Sequence, residues 1–384
     1  MENTHTREHL RELQSLPLYL KVRLTKQRIR EWVNHYGVDG VYVSFSGGKD
    51  STVLLHLVRQ EYEDVPGVFV NTGLEYPEIV RFVKSFKNIE IIRPKKNFRQ
   101  VIQDYGYPFI SKEVSERVYY AQKYLDWWKA KNTTKRPTDY SLREFLEQDK
   151  SNNVADDIIK QFIESGGKGT YKLKELYGQS KDKNGNPSQF YNYTKWKFMA
   201  FAPFPISNHC CNVMKKSPIH SFAKQSGRVG ITAQMASESR LRTSKWLQNG
   251  CNGFNLKRPI SNPMSFWTEQ DVLSYIYQEE IKIASVYGDV IKVEEIEGQL
   301  DFEDLGVFKL EKRPLKTTGC KRTGCMFCGY GCHLEKPGEG RFERLKITHP
   351  KIYDYIMRPW EDGGLNYKEV IDWLNENGNL NIRY

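Results

Sequence analysis

Residues 41–45, Val-Tyr-Val-Ser-Phe, form a β-branched and aromatic run that reads as a buried strand. An apolar helix pattern, Thr52-Val53-Leu54-Leu55-His56-Leu57-Val58, begins only a few residues later. Between them stands Ser46-Gly47-Gly48-Lys49-Asp50-Ser51. A strand that becomes a helix so abruptly needs backbone freedom, which Gly47 and Gly48 supply, and they also let a ligand come close to the main chain. The helix start offers N–H groups and a positive dipole end. With the Ser46 and Ser51 hydroxyls and the Lys49 ammonium they favour a bound anion, a phosphate above all. A plain Gly-Gly turn is the competing reading, and the Walker spacing G-x-x-x-x-G-K-S/T is absent.

The pattern around this junction repeats. Residues 18–36 carry apolar positions Leu18, Val22, Ile29, Trp32 and Val33 among basic residues and read as a helix, with Pro17 at its start. A second strand, Val68-Phe69-Val70, runs into Asn71-Thr72-Gly73-Leu74-Glu75-Tyr76-Pro77-Glu78. A helix over about 78–86 feeds a third strand at 89–92, and Val229-Gly230-Ile231-Thr232 supplies another. Strands alternating with helices predict a parallel, twisted sheet with helices on both faces. Ligands bind beyond the carboxyl ends of such strands, which places Ser46, Asn71 and Thr232 at the candidate site.

Residues 117–200 break the alternation. They hold many aromatics and 16 Lys and Arg against 10 Asp and Glu, and read as a mostly helical insertion. Interleaved bases and aromatics suit stacking along a nucleic acid, while the same aromatics also suit a small core of their own, which is the favoured reading for most of them. The net charge of +11 points the same two ways, to a polyanionic partner or to a solvated basic surface. The chain contains no run of about eighteen apolar residues and opens on a polar stretch, so the expectation is a cytoplasmic protein that spans no membrane.

Ser46–Ser51 resembles the PP-loop of the ATP-pyrophosphatase superfamily, which includes adenylating sulfur-transfer enzymes and the phosphoadenosine-phosphosulfate (PAPS) reductases. Further blocks follow in the same order. Residues 71–78 resemble the family's D-T-G-x-x-F/Y-P-E segment, with Asn71 where Asp is customary, which removes a negative charge. Gly106-Tyr-Pro-Phe-Ile-Ser-Lys112 resembles a stretch bordering the family's nucleotide pocket. Residues 230–240 resemble the G-x-R-x-x-E-S-x-x-R region, although Gln234 and Met235 stand near the usual arginine. Ser239, Arg240 and Arg242 remain as phosphate or sulfate ligands, or else pair with Glu238. Residues 262–272 resemble the P-x-x-x-W-T-x-x-D-V segment, with Thr268 as a helix cap and Asp271 in the first turn. The resemblance implies an adenine nucleotide alpha-hydrolase-like fold. It also implies a nucleotide site at Ser44, Ser46, Gly47, Gly48, Lys49, Asp50, Ser51, Asn71, Thr72, Gly73, Thr232, Ser239, Arg240 and Arg242, with Lys49, Asp50 and Ser51 in catalytic roles.

Seven cysteines stand at 210, 211, 251, 320, 325, 328 and 332, and their clustering argues for metal or redox chemistry rather than a disulfide framework. Cys210-Cys211 with Cys325-x-x-Cys328 is similar to the 4Fe–4S ligand set of the iron–sulfur-containing adenosine-phosphosulfate (APS) reductases. Cys320 and Cys332 allow a second set, Cys320, Cys325, Cys328 and Cys332, for zinc or a local cluster. Cys251, with no partner nearby in sequence, reads as a small buried hydrophobe. The expected division is 1–116 and 201–280 for the α/β domain, 117–200 for the insertion and 281–384 for the Cys-rich C-terminal region.

The family's reductases use a cysteine in a C-terminal E-C-G-x-H tail, and no cysteine follows Cys332. The expectation is therefore cleavage of ATP, with Mg²⁺, to AMP and pyrophosphate. The adenylated acceptor, tRNA or DNA among the candidates, would then take sulfur from a cluster, a cysteine or a donor protein. A divergent APS or PAPS reductase and a non-catalytic nucleotide- or nucleic-acid-binding module are the alternatives.

Overall fold

A computed structural model of the protein describes residues 5–131, 164–165, 167–293 and 314–384. In chain order the principal elements are α1 (Arg7–Ser15), α2 (Leu18–Tyr36), β1 (Val41–Ser44), α3 (Lys49–Glu61), β2 (Gly67–Val70), α4 (Pro77–Lys84) and β3 (Ile89–Ile92). Next come α5 (Phe98–Tyr105), β4 (Phe109–Ile110), α6 (Lys112–Lys131), α7 (Thr170–Leu176), α8 (Ser217–Ser226), β5 (Val229–Ile231) and α9 (Arg240–Asn249). The chain continues through β6 (Asn252–Gly253), β7 (Ile260–Ser261), α10 (Glu269–Gln278), β8 (Val290–Lys292) and β9 (Leu315–Thr317). It ends with β10 (Gly329–Tyr330), α11 (Arg341–Thr348), α12 (Pro350–Met357) and α13 (Tyr367–Gly378). The parts of the expected insertion and C-terminal region at 132–163, 166 and 294–313 lie outside the described residues.

Two compact units emerge: Met1–Pro94 with Ser217–Cys325, and Lys95–Lys216 with Met326–Tyr384. The sequence places the boundaries at 116/117, 200/201 and 280/281 instead. The difference has a packing cause inside the second unit. Phe109 and Ile110 pair in parallel with Gly329 and Tyr330, and the Tyr107 hydroxyl donates to Leu365 O at 2.9 Å. Residues just before the insertion therefore share a core with the C-terminal region.

The first unit holds a six-stranded sheet in the order β3-β2-β1-β5-β7-β6. All its pairings are parallel except β6 on β7. The crossovers through α3 and α4 step from β1 to β2 to β3, whereas β5 joins the other side of β1. That reversal makes the carboxyl ends of β1 and β5 the topological switch point, where a crevice opens. Val41, Val43 and Phe45 of the first strand, with Val53 and Leu54 of α3, are fully buried. Burial of each such side chain contributes about 1.5–3 kcal/mol. The Trp267 indole N–H donates to Thr25 Oγ1 at 2.9 Å, and Thr268 caps α10 in a capping box with Asp271. Lys21 reaches Asp271 at 2.7 Å, so this block is architectural, as its sequence indicates.

In the second unit, Ala121, Tyr124, Leu125, Leu173, Leu176 and Ala200 form a core, with Trp127, Trp128, Tyr177, Tyr193, Trp196 and Phe201 packed against it. Six of the twelve described aromatics of the insertion thus go into its own core. Tyr171, Phe190 and Tyr191 stay exposed. Among the described residues no helix is long and apolar enough to cross a membrane.

Candidate functional site

Ser46–Ser51 leaves β1 and becomes the first turn of α3, at the switch point of the first unit. Gly47 has φ of +71°, and a Cβ there would fall 2.7 Å from Val83 Cγ2 and 2.8 Å from Ile79 Cγ2. Both its left-handed backbone and its close packing on α4 demand glycine. The two serines lock the loop from within. The Ser46 N–H donates to Ser51 Oγ at 3.2 Å, the two hydroxyls lie 3.0 Å apart, and Ser51 Oγ donates to Gly48 O at 2.9 Å. Ser46 and Ser51 are thus loop-shaping residues first. The amides of the first helical turn have no intrahelical acceptor. That of Lys49 donates to Tyr287 Oη at 3.2 Å.

Lys49 itself is buried, with 3% exposure. Its ammonium lies 2.9 Å from Asp50 Oδ1 and 3.2 Å from Glu269 Oε1. Burial pulls the Lys49 pKa down, but the Asp50 and Glu269 carboxylates more than offset it, so the group is held above its ordinary value. It is a permanent cation at the root of the loop, bracketed by carboxylates.

The other sequence candidates fall around the same strand ends. Asn71 Oδ1 accepts the Gly73 N–H at 3.2 Å, and Thr72 bonds to the Glu75 carboxylate through its amide at 3.0 Å and through its hydroxyl at 2.8 Å. Gly73, at φ +76°, has no heavy atom within 4 Å of a Cβ position. Ser44 ends β1. Thr232 follows β5, its amide bonded to Ser261 O at 2.8 Å and its hydroxyl to Asn262. Ser239 caps α9 by accepting the Arg242 N–H at 3.3 Å. Arg240 is exposed at the start of that helix. Arg242 pairs with Glu238, as the alternative reading of the sequence had it, and its pKa is lowered by burial and by Arg322, with Asp50 opposing. Arg242, Lys245 and Arg258 also line a cleft of ≈ 350 Å³ with Gln234, Trp246 and Asn262.

Three residues near the loop escaped the sequence reading: Tyr287, Thr323 and Arg322. A Cβ on Gly48 would lie 3.3 Å from Tyr287 Oη and 3.7 Å from Thr323 Oγ1. The two hydroxyls are 2.6 Å apart. The only sequence signal was indirect, since Arg322 and Thr323 sit between Cys320 and Cys325, a stretch that drew notice for its thiols.

In the second unit the Gly106–Lys112 block forms the turn into β4 and the start of α6. Cys210 and Cys211 hold their sulfurs 4.0 Å apart. The Cys211 thiol is lowered to about 6, first by its hydrogen bond with Cys210 and then, against the effect of burial, by Lys112, Lys215 and Lys216. Burial raises the Cys328 thiol, and it pushes that of Cys332 up to about 12. The Cys332 S–H donates to Gly329 O at 2.9 Å, and Arg341 donates to Cys328 O at 2.6 Å. Cys320 and Cys325 belong to the first unit, where Cys320 is buried. Cys251, raised by burial, accepts from Ser265 Oγ at 3.3 Å. Thiolates are suitable donors for iron or zinc. Among the described residues, however, no three His, Cys, Asp or Glu side chains are gathered so as to hold a metal ion. Each ligand set expected from the sequence draws cysteines from both units.

A mostly parallel sheet with a glycine turn opening a helix at its switch point defines an α/β protein of the PP-loop class. The chain belongs to the phosphoadenosine phosphosulfate reductase domain family, whose model matches residues 40–141 and 168–329. It is similar to a phosphoadenosine 5'-phosphosulfate reductase of Xanthomonas campestris pv. campestris, 30% identical over 90 residues, which are 22% of this chain and 37% of the relative. An uncharacterised protein of Methanocaldococcus jannaschii is 36% identical over 73 residues, 18% of each chain. A probable FAD synthase of Caenorhabditis briggsae is 27% identical over 96 residues, 22% of this chain and 18% of that one. The matched stretches thus span well under half the length of these relatives. Among solved structures, a PAPS reductase from Candida auris in a phosphate complex aligns with a TM-score of 0.33 at 14% identity, covering 74% of this chain and 92% of that one.

Proposed function

We propose that this protein binds ATP on the Ser46–Ser51 loop and cleaves it between the α- and β-phosphates to adenylate an acceptor for sulfur transfer. The observation that carries the reading is the loop's place: a glycine turn fixed by its own serines, at the head of a helix, on the switch point of a parallel sheet. Helix amides and dipole there stabilise phosphate charge without having to reorganise. An acceptor oxygen attacks the α-phosphorus, the bond to the β-phosphate oxygen breaks, and pyrophosphate leaves; a Mg²⁺ bound with the nucleotide would supply charge neutralisation for that leaving group. A sulfur nucleophile then forms its bond to the activated centre as AMP departs. Lys49 holds positive charge beneath the phosphates. Thr72 and Thr232 stand at the neighbouring strand ends, Arg242 lies in the first turn of α9, and Asn71 and Gly73 keep the second strand's exit open. A polynucleotide acceptor accords with the chain's net charge of +11. A 4Fe–4S cluster or zinc on the cysteines is a proposal of donor chemistry alone, and no step runs through it.

Anaerobic incubation with ATP, APS and PAPS separately, assaying pyrophosphate, AMP and sulfite, tests the reading. The expected result is AMP and pyrophosphate from ATP, lost in Lys49→Met with ATP binding weakened. Sulfite from APS or PAPS, with ATP untouched, would return the protein to reductase chemistry.

A further inference from the structure

The phosphate loop has a second wall, built by a backbone strap. The Gly319 N–H donates to Tyr287 O at 2.8 Å, the Cys320 N–H to Val286 O at 2.9 Å and the Thr318 N–H to Asp289 O at 2.9 Å. Gly319 leaves no room between the two strands of this strap: a Cβ there would sit 2.5 Å from Val286 O and 2.8 Å from the Tyr287 carbonyl carbon. The strap fixes the Tyr287 ring, whose hydroxyl accepts the Lys49 N–H at 3.2 Å and meets Thr323 Oγ1 at 2.6 Å. Thr323 Oγ1 in turn lies 3.7 Å from where a Cβ on Gly48 would stand, on the open side of the loop's glycine. Arg322, the adjacent residue, is exposed. Its charge depresses the Arg242 guanidinium, already lowered by burial, while Asp50 acts the other way. Arg242 already pairs with Glu238, so the planar fork offered to phosphate oxygens here is that of Arg322, the neighbour of Thr323.

We propose that Thr323 and Arg322 bind a phosphate oxygen of the nucleotide beside the Ser46–Ser51 amides, with Tyr287 as the positioning residue that sets Thr323 against the loop. This deepens the reading of the loop as the phosphate site and rests on it. The Cys320–Cys325 segment then serves the nucleotide through its non-cysteine residues.

Calorimetric titration of the full chain with ATP, AMP and pyrophosphate tests this. Arg322→Gln, at an exposed position that should not disturb folding, is expected to weaken ATP and pyrophosphate about tenfold, the worth of one charge-assisted hydrogen bond, and AMP less than about threefold. Lys321→Gln removes the same charge one residue away and is expected to change affinity less than about twofold, because an exposed charge without direct contact is screened. Tyr287→Phe keeps the ring and loses the hydroxyl. It should cost about as much ATP affinity as Thr323→Val, and the double variant about no more than either, since contacting residues of one network are non-additive. An equal loss in Arg322→Gln and Lys321→Gln would mean diffuse electrostatics and overturn the contact. Wild-type ATP binding unchanged by Arg322→Gln overturns the wall and leaves the loop reading intact. No affinity of the wild type for ATP, APS, PAPS or pyrophosphate overturns both.

Discussion

Replacing Gly47 by alanine should damage the loop twice over, and a companion substitution separates the two causes. At φ +71° an alanine takes on left-handed strain of about 1–2 kcal/mol. Its Cβ would also overlap Val83 Cγ2 and Ile79 Cγ2, at 2.7 and 2.8 Å. Overpacking of that kind costs about 1–3 kcal/mol. Stiffening the unfolded chain returns about 0.4–1 kcal/mol. The net expectation is a loss of about 1–4.5 kcal/mol, or about 2–18 °C in melting temperature for a unit of this size. Gly73→Ala carries the same strain at φ +76° but meets nothing within 4 Å, so its net loss is about 1 kcal/mol or less. Urea unfolding followed by tryptophan fluorescence, with ATP binding measured on the same preparations, reads both. The packing argument fails if Gly47→Ala loses no more stability than Gly73→Ala. It also fails if the loop still binds ATP with wild-type affinity after so large a displacement.

Three further outcomes are expected. The Cys211 thiol, lowered to about 6, should alkylate with a rate that rises through that pH and levels off by neutrality. At pH 7 such a thiol is about 90% thiolate, against about 1% for an ordinary one near 9, so a profile still climbing at pH 8 would contradict the Cys210 and lysine environment. Iron and acid-labile sulfide measured on anaerobically purified protein should fall in a Cys210→Ser, Cys211→Ser double variant if the tandem pair holds a cluster, and a full complement in that variant excludes these ligands. Chelating Mg²⁺ should weaken ATP binding by about tenfold or more, because the metal neutralises phosphate charge that the site does not. Equal affinity in its absence would refute that charge balance.

The sheet was legible because period and punctuation agreed. Val41–Ser44, Gly67–Val70, Ile89–Ile92 and Val229–Ile231 are apolar runs bounded by turns, and each became a strand of the first unit. Thr268 as a cap was legible for the same reason, a local signature satisfied by local hydrogen bonds. The boundaries were not. Pairing of Phe109 with Gly329 joins residues 220 positions apart, and nothing local in either stretch announces it. At the site, the loop and the strand-end residues could be named because glycine, serine and threonine follow strands there. Tyr287 and Thr323 could not, since their positions come from a strap made of main-chain bonds that leave no side-chain pattern. Arg242 reads from the sequence as an anion ligand or a partner of Glu238; the structure shows the Glu238 pair, and the neighbouring Arg322 adds a cation outside it.

Charge around the loop bears on which nucleotide it is built for. Among the described residues, the cations in direct electrostatic contact around Lys49 and Arg242 include Arg322, and the carboxylates beside them are Asp50, Glu269 and Glu238. The cluster is therefore close to neutral, and the Lys49 ammonium, with three N–H donors, already faces two carboxylates at 2.9 and 3.2 Å. A site that took a free sulfonucleotide on side chains alone would need an excess of cations to replace the water around several negative charges. A nearly balanced site suits a ligand that brings its own counter-ion, with the fixed backbone amides aiming the phosphates and the metal carrying the charge. ATP with Mg²⁺, the ligand proposed above, would be of that kind. On this argument the serine-locked loop supplies geometry, Lys49 supplies local charge, and the asparagine at position 71 removes a carboxylate that would otherwise have tipped the balance further negative.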